Sequence, residues 1–296
     1  MNTATMLQPD DTISSVLRYP GGKQRAAKRL VGYIPAGTKK VYSPFFGGGS
    51  VEFEWLSQNP GGKVVARDVF EPLVNFWSLV FKGHGAEIAN RARAYLPITK
   101  EEFAQLQLNL RSDRGTPIER ATWFFVVNRA SFSGATLRGG MSSGARFTES
   151  ACARLEAFDS KGRVCIRAGD VFDSIRRRSF TVDTCIYLDP PYPGKGKKLY
   201  GKEEFDHARL AKILTDLDEQ GVKWLMSYND VPEIHDLYKK FWRVQAHWKY
   251  GMSSDKDGRE LIILSRRLLD CYEADLSDWI AGRAENKPSV SRSRMR

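Results

Sequence analysis

Short apolar runs, each closed by Gly, Pro, Asp or Ser, recur along the chain, and amphipathic stretches of helical period separate them. Runs at 40–43, 63–68, 163–168, 184–188, 223–227, 243–248 and 260–265 read as buried strands, because they are brief, rich in Val, Ile and aromatics, and bounded by turn residues. Between residues 207 and 217 the apolar positions Ala208, Leu210, Ala211, Ile213, Leu214 and Leu217 fall on one helical stripe, which would cover a sheet face. Strands alternating with helices predict an α/β architecture with a mostly parallel, doubly wound sheet. The alternation breaks over 84–160. That stretch carries helical patterns at 100–111 and 118–128, then a Gly/Ser/Arg-rich segment with at most a hairpin around 137–147. It reads as a mainly helical insertion between the sheet-forming pieces 13–83 and 161–270. Residues 1–12 and the Ser/Arg-alternating tail 286–296, within an extension running from 271, lack apolar period and are expected to be mobile.

Composition adds a polyanion to this picture. The 296 residues are 42% hydrophobic and 27% charged, an ordinary globular balance that excludes collagen-like and coiled-coil classes, but Lys and Arg exceed Asp and Glu by eleven. Cys152, Cys165, Cys185 and Cys271 form no CxxC pair and have no histidine at ligand spacing, so neither zinc nor a disulfide framework is expected. No apolar run approaches the roughly 18 residues that span a bilayer, and the amino terminus lacks a leader pattern. The expectation is a cytoplasmic protein without membrane or metal partners.

The candidate chemistry stands at strand ends, where open α/β sheets hold their ligands. Pro44-Phe-Phe-Gly-Gly-Gly-Ser-Val51 follows the first strand; its glycines permit close backbone approach, although a tight strand-to-helix turn would use them too. It lacks the Gly-Lys-Ser/Thr ending of a phosphate loop. Asp68 closes the next strand about twenty residues on, the spacing at which an acid bonds ribose hydroxyls. Asp189-Pro-Pro-Tyr-Pro-Gly194 follows the run 184–188. Consecutive prolines fix carbonyl directions without supplying amide donors, so Asp189, Pro190, Pro191 and Tyr192 form an acceptor-rich corner beside an aromatic ring. Such a corner suits an exocyclic amine on a planar base.

Asp-Pro-Pro-Tyr, Pro-Phe-Phe-Gly-Gly-Gly-Ser and the earlier Arg18-Tyr-Pro-Gly-Gly-Lys23 together resemble the Dam-type (class alpha, D12) DNA adenine-N6 methyltransferases, over roughly residues 16–266. The resemblance implies a Rossmann-like, seven-stranded, S-adenosylmethionine-dependent fold with a target recognition domain inserted after the second strand. It implies that Tyr19, Lys23, Phe46, Gly47, Asp68, Asp170, Val171 and Asp189 hold the cofactor, and that Asp189 through Tyr192 act on a flipped adenine. Asn128-Arg-Ala-Ser-Phe-Ser-Gly134 is similar to the family's Asn-Arg-x-x-Tyr-Asn-Gly segment that contacts DNA. Phe132 and Ser133 stand where Tyr and Asn are familiar, and Arg138 comes one position late, so a target sequence does not transfer.

The resemblance and the basic surplus make double-stranded DNA the expected partner, with Arg129, Phe132, Ser133 and Arg138 from the insertion and Lys195, Lys197 and Lys198 after the catalytic corner as candidate contacts. Phe132 is either an unstacking wedge or a core residue. The Asp189–Tyr192 corner would also serve an RNA adenine or cytosine N4, and a non-catalytic DNA-binding homologue is the alternative from another class.

Overall fold

The apolar runs become the strands of one seven-stranded sheet in the computed structural model, which describes residues 12–112, 114–142, 146–176, 178–193, 205–249 and 257–272. In chain order these are β1 (Lys40–Ser43), β2 (Lys63–Asp68), β3 (Val164–Ala168), β4 (Thr184–Leu188), β5 (Lys223–Asn229), β6 (Trp242–Lys249) and β7 (Asp257–Leu264). Their spatial order is β3-β2-β1-β4-β5-β7-β6. β1 to β5 pair in parallel, and β7 runs antiparallel to both neighbours. This is a mixed α/β sheet, parallel through five strands and closed by an antiparallel pair.

Side-chain alternation distributes each strand between two apolar layers, as a period of two requires. Cys185, Tyr187, Leu225, Ile262 and Leu264 enter one layer. Ile186, Leu188, Trp224, Met226, Tyr228, Leu261 and Ile263 enter the other. β4 lies between β1 and β5 and is buried along its whole length, which is why it reads as an unbroken apolar run.

Helices α1 (Ala27–Val31), α2 (Ser50–Gln58) and α3 (Glu71–Leu79) cover the first layer. α8 (Val171–Arg176), α9 (His207–Glu219) and α10 (Pro232–Leu237) cover the second. Asp206 caps α9 by accepting the Arg209 amide at 2.8 Å. A last helix, α11 (266–272), follows β7.

Between β2 and β3 run α4 (Gly85–Arg93), α5 (Lys100–Arg111), α6 (Pro117–Ala130) and α7 (Glu149–Glu156). Thr99 with Glu102 and Thr116 with Glu119 form capping boxes that start α5 and α6, each satisfying amides the helix cannot. α3 passes into α4 through a π turn at Val80–His84, broken at Gly83 with φ 91°. The insertion does not own a separate core. Ile88, Phe103, Leu106, Phe124 and Phe125 join the same apolar cluster as Val41 and Val64, and Phe125 stacks on Phe76 of α3 at 5.9 Å.

The hairpin expected over 137–147 is not formed among the described residues, which hold there one antiparallel bridge, Ser131 to Met141. Backbone groups that a hairpin would pair are taken by side chains of α5: Gln107 donates to the Thr136 and Gly139 carbonyls, and Arg111 to that of Leu137. Trp55, Trp77 and Trp224 are core residues, whereas Trp123 and Trp242 are half-buried. No helix among the described residues is long and apolar enough to cross a membrane.

Candidate active site

The chain leaves β1 toward β2 and β3 on one side and returns at β4 on the other, so the carboxyl ends of β1 and β4 flank the point where strand order reverses. A crevice opens there in doubly wound sheets. The glycine loop follows β1 and the Asp-Pro-Pro-Tyr corner follows β4, placing both sequence-derived candidates at that point.

Gly47 has φ 50°, and a Cβ there would sit 2.8 Å from the Tyr19 ring. Only glycine lets Tyr19 lie against this loop. The Gly47 amide donates to Asp68 Oδ2 and the Phe70 amide to Oδ1, both at 2.9 Å, so the carboxylate at the end of β2 pins the loop after β1. Burial nevertheless pushes the Asp68 carboxyl above its ordinary range, against those amide bonds. Phe46, 3% exposed, turns its ring into the cluster of Phe53, Trp77 and Phe81, so what it offers the crevice is backbone.

Asp170 is exposed and accepts the Phe172 amide at 2.8 Å, capping α8, while Val171 is buried. The Gly169 amide donates to the Asp68 carbonyl at 3.0 Å and ties this turn to the end of β2. Asp68 thus closes β2, and Asp170 and Asp189 stand just after the ends of β3 and β4.

At the corner after β4, Lys23 reaches in from the segment before α1. Its ammonium lies 2.9 Å from Asp189 Oδ1 and 3.4 Å from Glu260 Oε1, and it donates to the Tyr192 hydroxyl at 2.6 Å. Tyr192 donates in turn to Glu260 Oε1 at 2.8 Å. Burial works against the Lys23 ammonium, but the Asp189 and Glu260 charges outweigh it and hold its pKa above the ordinary lysine value. Burial and those same acids raise the Tyr192 phenol well above its usual range, so it remains a donor. Ser227 Oγ donates to Asp189 Oδ1 at 3.2 Å, and among the described residues the hydrogen bonds to that carboxylate fall on Oδ1. The Asp189 side chain keeps 24% of its surface exposed, a carboxylate within reach of a ligand. Pro190 is buried and Pro191 half-buried.

Glu260 and Ser227 were missed by the sequence reading. A glutamate opening the apolar run Glu260-Leu-Ile-Ile-Leu is the signal that could have found the first, since an acid is buried in a strand only with a partner. A second missed acid, Glu52 of α2, is 2% exposed and accepts from Ser43 Oγ at 2.5 Å.

The insertion candidates separate. Phe132 is 59% exposed, which removes the core reading. Arg138 is exposed and Ser133 half-buried, with φ 54°. Arg129 is half-buried beside the Val16 carbonyl, and desolvation lowers its pKa to about 10. Lys195, Lys197 and Lys198 lie outside the described residues. The described residues contain no group of acids, histidines and cysteines able to hold a metal.

The sequence profile of the D12 class N6 adenine-specific DNA methyltransferases matches residues 19–252. A DNA N-6-adenine-methyltransferase of Escherichia phage P1 is 27% identical over 76% of this chain, which spans 31% of that protein's length. The retron Ec67 DNA adenine methylase of Escherichia coli is 25% identical, covering 86% of this chain and 92% of its own. The type II methyltransferase M.MjaIII of Methanocaldococcus jannaschii is 24% identical, with 77% and 89% covered. Among solved structures, an rRNA methyltransferase from Streptomyces viridochromogenes aligns at TM-score 0.37 and 15% identity over 90% of this chain and 96% of its own. The family profile covers most of the chain, from the segment bearing Tyr19 and Lys23 through the strand that ends in Asp68 and the corner at Asp189. This chain belongs to the D12 class of N6 adenine-specific DNA methyltransferases.

Proposed function

We propose that the chain performs its family's reaction, methyl transfer from S-adenosylmethionine to adenine N6, on an adenine swung out of double-stranded DNA, with the Asp189–Tyr192 corner as the catalytic element. The observation that carries this reading is the meeting of Asp189, Tyr192 and Lys23 at the same sheet edge as Asp68 and its glycine loop.

The residues fit the cofactor. Asp68 accepts the Gly47 amide on one oxygen and the Phe70 amide on the other, and a carboxylate's remaining acceptor capacity suits a ribose hydroxyl. Asp189 and Glu260 outnumber Lys23, which leaves one net negative charge suited to a cationic ligand. Tyr19, Gly47, Asp68, Asp170, Val171 and Asp189 would line the site. S-adenosylmethionine supplies an electrophilic sulfonium methyl.

Adenine N6 is a poor nucleophile because its lone pair is delocalised into the ring. Acceptance of its two hydrogens by the Asp189 carboxylate and the Pro190 carbonyl favours a pyramidal nitrogen and frees that lone pair. Asp189 also stabilises the positive charge that develops there. Lys23 now holds Asp189 Oδ1, so an incoming amine takes Oδ2 or displaces the ammonium toward Glu260. The Tyr192 ring stacks on the base, offsetting part of the few kcal/mol that extrusion costs by about 1–3 kcal/mol. Phe132 occupies or unstacks the vacated step, and exposed Arg138 reads a base edge. The helices α4 to α7 act as the target recognition unit. The phage and Escherichia coli sources of two of its relatives support the cytoplasm of a bacterial or phage-infected cell as its place of work.

The test is labelled-methyl transfer to methylation-free duplex DNA and to RNA, followed by nucleoside analysis. N6-methyl-2′-deoxyadenosine released from the DNA, with no N6-methyladenosine from the RNA, is the expected product. Label in RNA, or in N4-methylcytosine, overturns the assignment.

A further inference from the structure

Asn128 is a fully buried residue of the last turn of α6, and its amide closes on the backbone of a residue far away in sequence. Its Oδ1 accepts the Arg18 amide at 3.0 Å and its Nδ2 donates to the Arg18 carbonyl at 2.7 Å, so the side chain pairs residue 18 as a neighbouring strand would. The same Nδ2 faces the Gly134 carbonyl and Thr136 Oγ1, both at 3.2 Å. Gly134 presses the contact from the other side: a Cβ there would stand 2.0 Å from the Arg18 carbonyl oxygen. Between these anchors lies the turn Phe132–Gly134, with Phe132 exposed and Ser133 in the left-handed region that L side chains rarely adopt.

From Arg18 the chain runs directly into the reaction centre. The Tyr19 ring covers Gly47 and Gly48, the Gly22 amide closes a turn on the Tyr19 carbonyl at 2.9 Å, and Lys23 ends on Asp189, Tyr192 and Glu260. The segment 18–23 therefore has one end clamped by the insertion and the other in the acid cluster. Asn128 holds both polar backbone groups of residue 18 and also the Gly134 carbonyl, and the Arg18 guanidinium reaches the Ser131 carbonyl, so residue 18 and the Phe132 turn share one set of anchors.

We propose that Asn128 is a positioning residue that couples DNA engagement at the Phe132 turn to the cofactor and base sites, through the Arg18 backbone and the segment 18–23. The inference rests on the functional reading above, in which that turn meets DNA and Tyr19 borders the cofactor. Coupling means that DNA changes cofactor affinity and the cofactor changes DNA affinity by the same factor, typically on the order of 5–150-fold.

The test is calorimetric titration of S-adenosylhomocysteine into the full chain, with and without methylation-free linear plasmid DNA, for wild type, Asn128→Ala and Asn128→Asp. The aspartate keeps the acceptor for the Arg18 amide but sets an oxygen against the Arg18 carbonyl. Wild type should show an affinity ratio clearly different from one, collapsing toward one in both variants. A general loss of stability would weaken both affinities and leave the ratio intact, which would overturn the proposal. A wild type that methylates DNA but has a ratio of one overturns the coupling and spares the functional reading, whereas absence of both methylation and binding overturns that reading itself. Should the variants fail to fold, hydrogen exchange of wild type decides: DNA added without cofactor should alter exchange across residues 18–23, and unchanged exchange there refutes the link.

Discussion

Lys23 and Asp189 stand 166 positions apart in sequence and 2.9 Å apart in space, the ammonium capping one oxygen of the carboxylate on which the proposed chemistry depends. The Lys23 side chain is 3% exposed and that of Glu260, its second acid, 1%. This is a buried charge group, in which each member is tolerable because the others are present.

Removing the cation should therefore cost more than removing an ordinary surface lysine. Lys23→Met leaves Glu260 uncompensated and is expected to lower unfolding free energy by roughly 3–5 kcal/mol. Adding Glu260→Gln should restore much of that loss. Denaturant titration of both single variants and the double variant measures it, and simply additive losses would contradict the account.

Asp189→Asn retains shape but exchanges a charged acceptor for an amide. Turnover should fall by at least about a hundredfold, because a preorganised interaction with developing charge is lost. Its melting temperature should stay near that of wild type. Single-turnover methyl transfer under saturating cofactor reads the effect, and near-normal rates would remove Asp189 from the mechanism.

Glu52 predicts a pH dependence of opposite slope to that of most acids. Burial raises its carboxyl from an ordinary value of 4.5 to about 7, against the bond from Ser43 and with further upward pressure from Asp189. The folded chain thus holds this proton where the unfolded chain has released it, so the contribution of Glu52 to stability falls as pH rises from about 4.5 to 7 and is level above. Glu52→Gln, which still accepts from Ser43, should gain on wild type across that window, reaching roughly 3 kcal/mol above pH 7. Equal stability of the two proteins at pH 8 would show that the acid is not desolvated as the structure has it.

Phe132 distinguishes a DNA contact from a packing residue. Because its side chain is mostly exposed, Phe132→Ala should change stability by no more than about 0.5 kcal/mol. Base extrusion, followed by fluorescence of 2-aminopurine at the methylated position, should be diminished. A clear drop in melting temperature with unchanged extrusion would return Phe132 to a structural role.

The strands were legible in the linear chain because each is a short apolar run stopped by Gly, Pro, Asp or Ser, and burial on both faces leaves that mark on any strand inside an α/β sheet. Their ends shifted by a few residues, as with β5, expected to 227 and extending to Asn229, because pairing with β7 continues through buried Tyr228 and on to Asn229. The glycine loop and the Asp189 corner were equally legible. Backbone constraints belong to the residues that impose them, and Gly and Pro announce theirs locally.

What the sequence by itself determined is therefore the order of elements, the α/β class, the helical insertion and the two strand-end segments that meet in the candidate site. Only the tertiary structure decided who meets whom: Lys23 with Asp189 and Glu260, Ser227 beneath Asp189, Asn128 on the backbone of Arg18, and the bonds from α5 that replaced an expected hairpin. The reason is physical. Periodicity tells which face of an element is buried, but a hydrogen bond or ion pair is settled by which elements the fold stacks together, and that choice is spread over the whole chain.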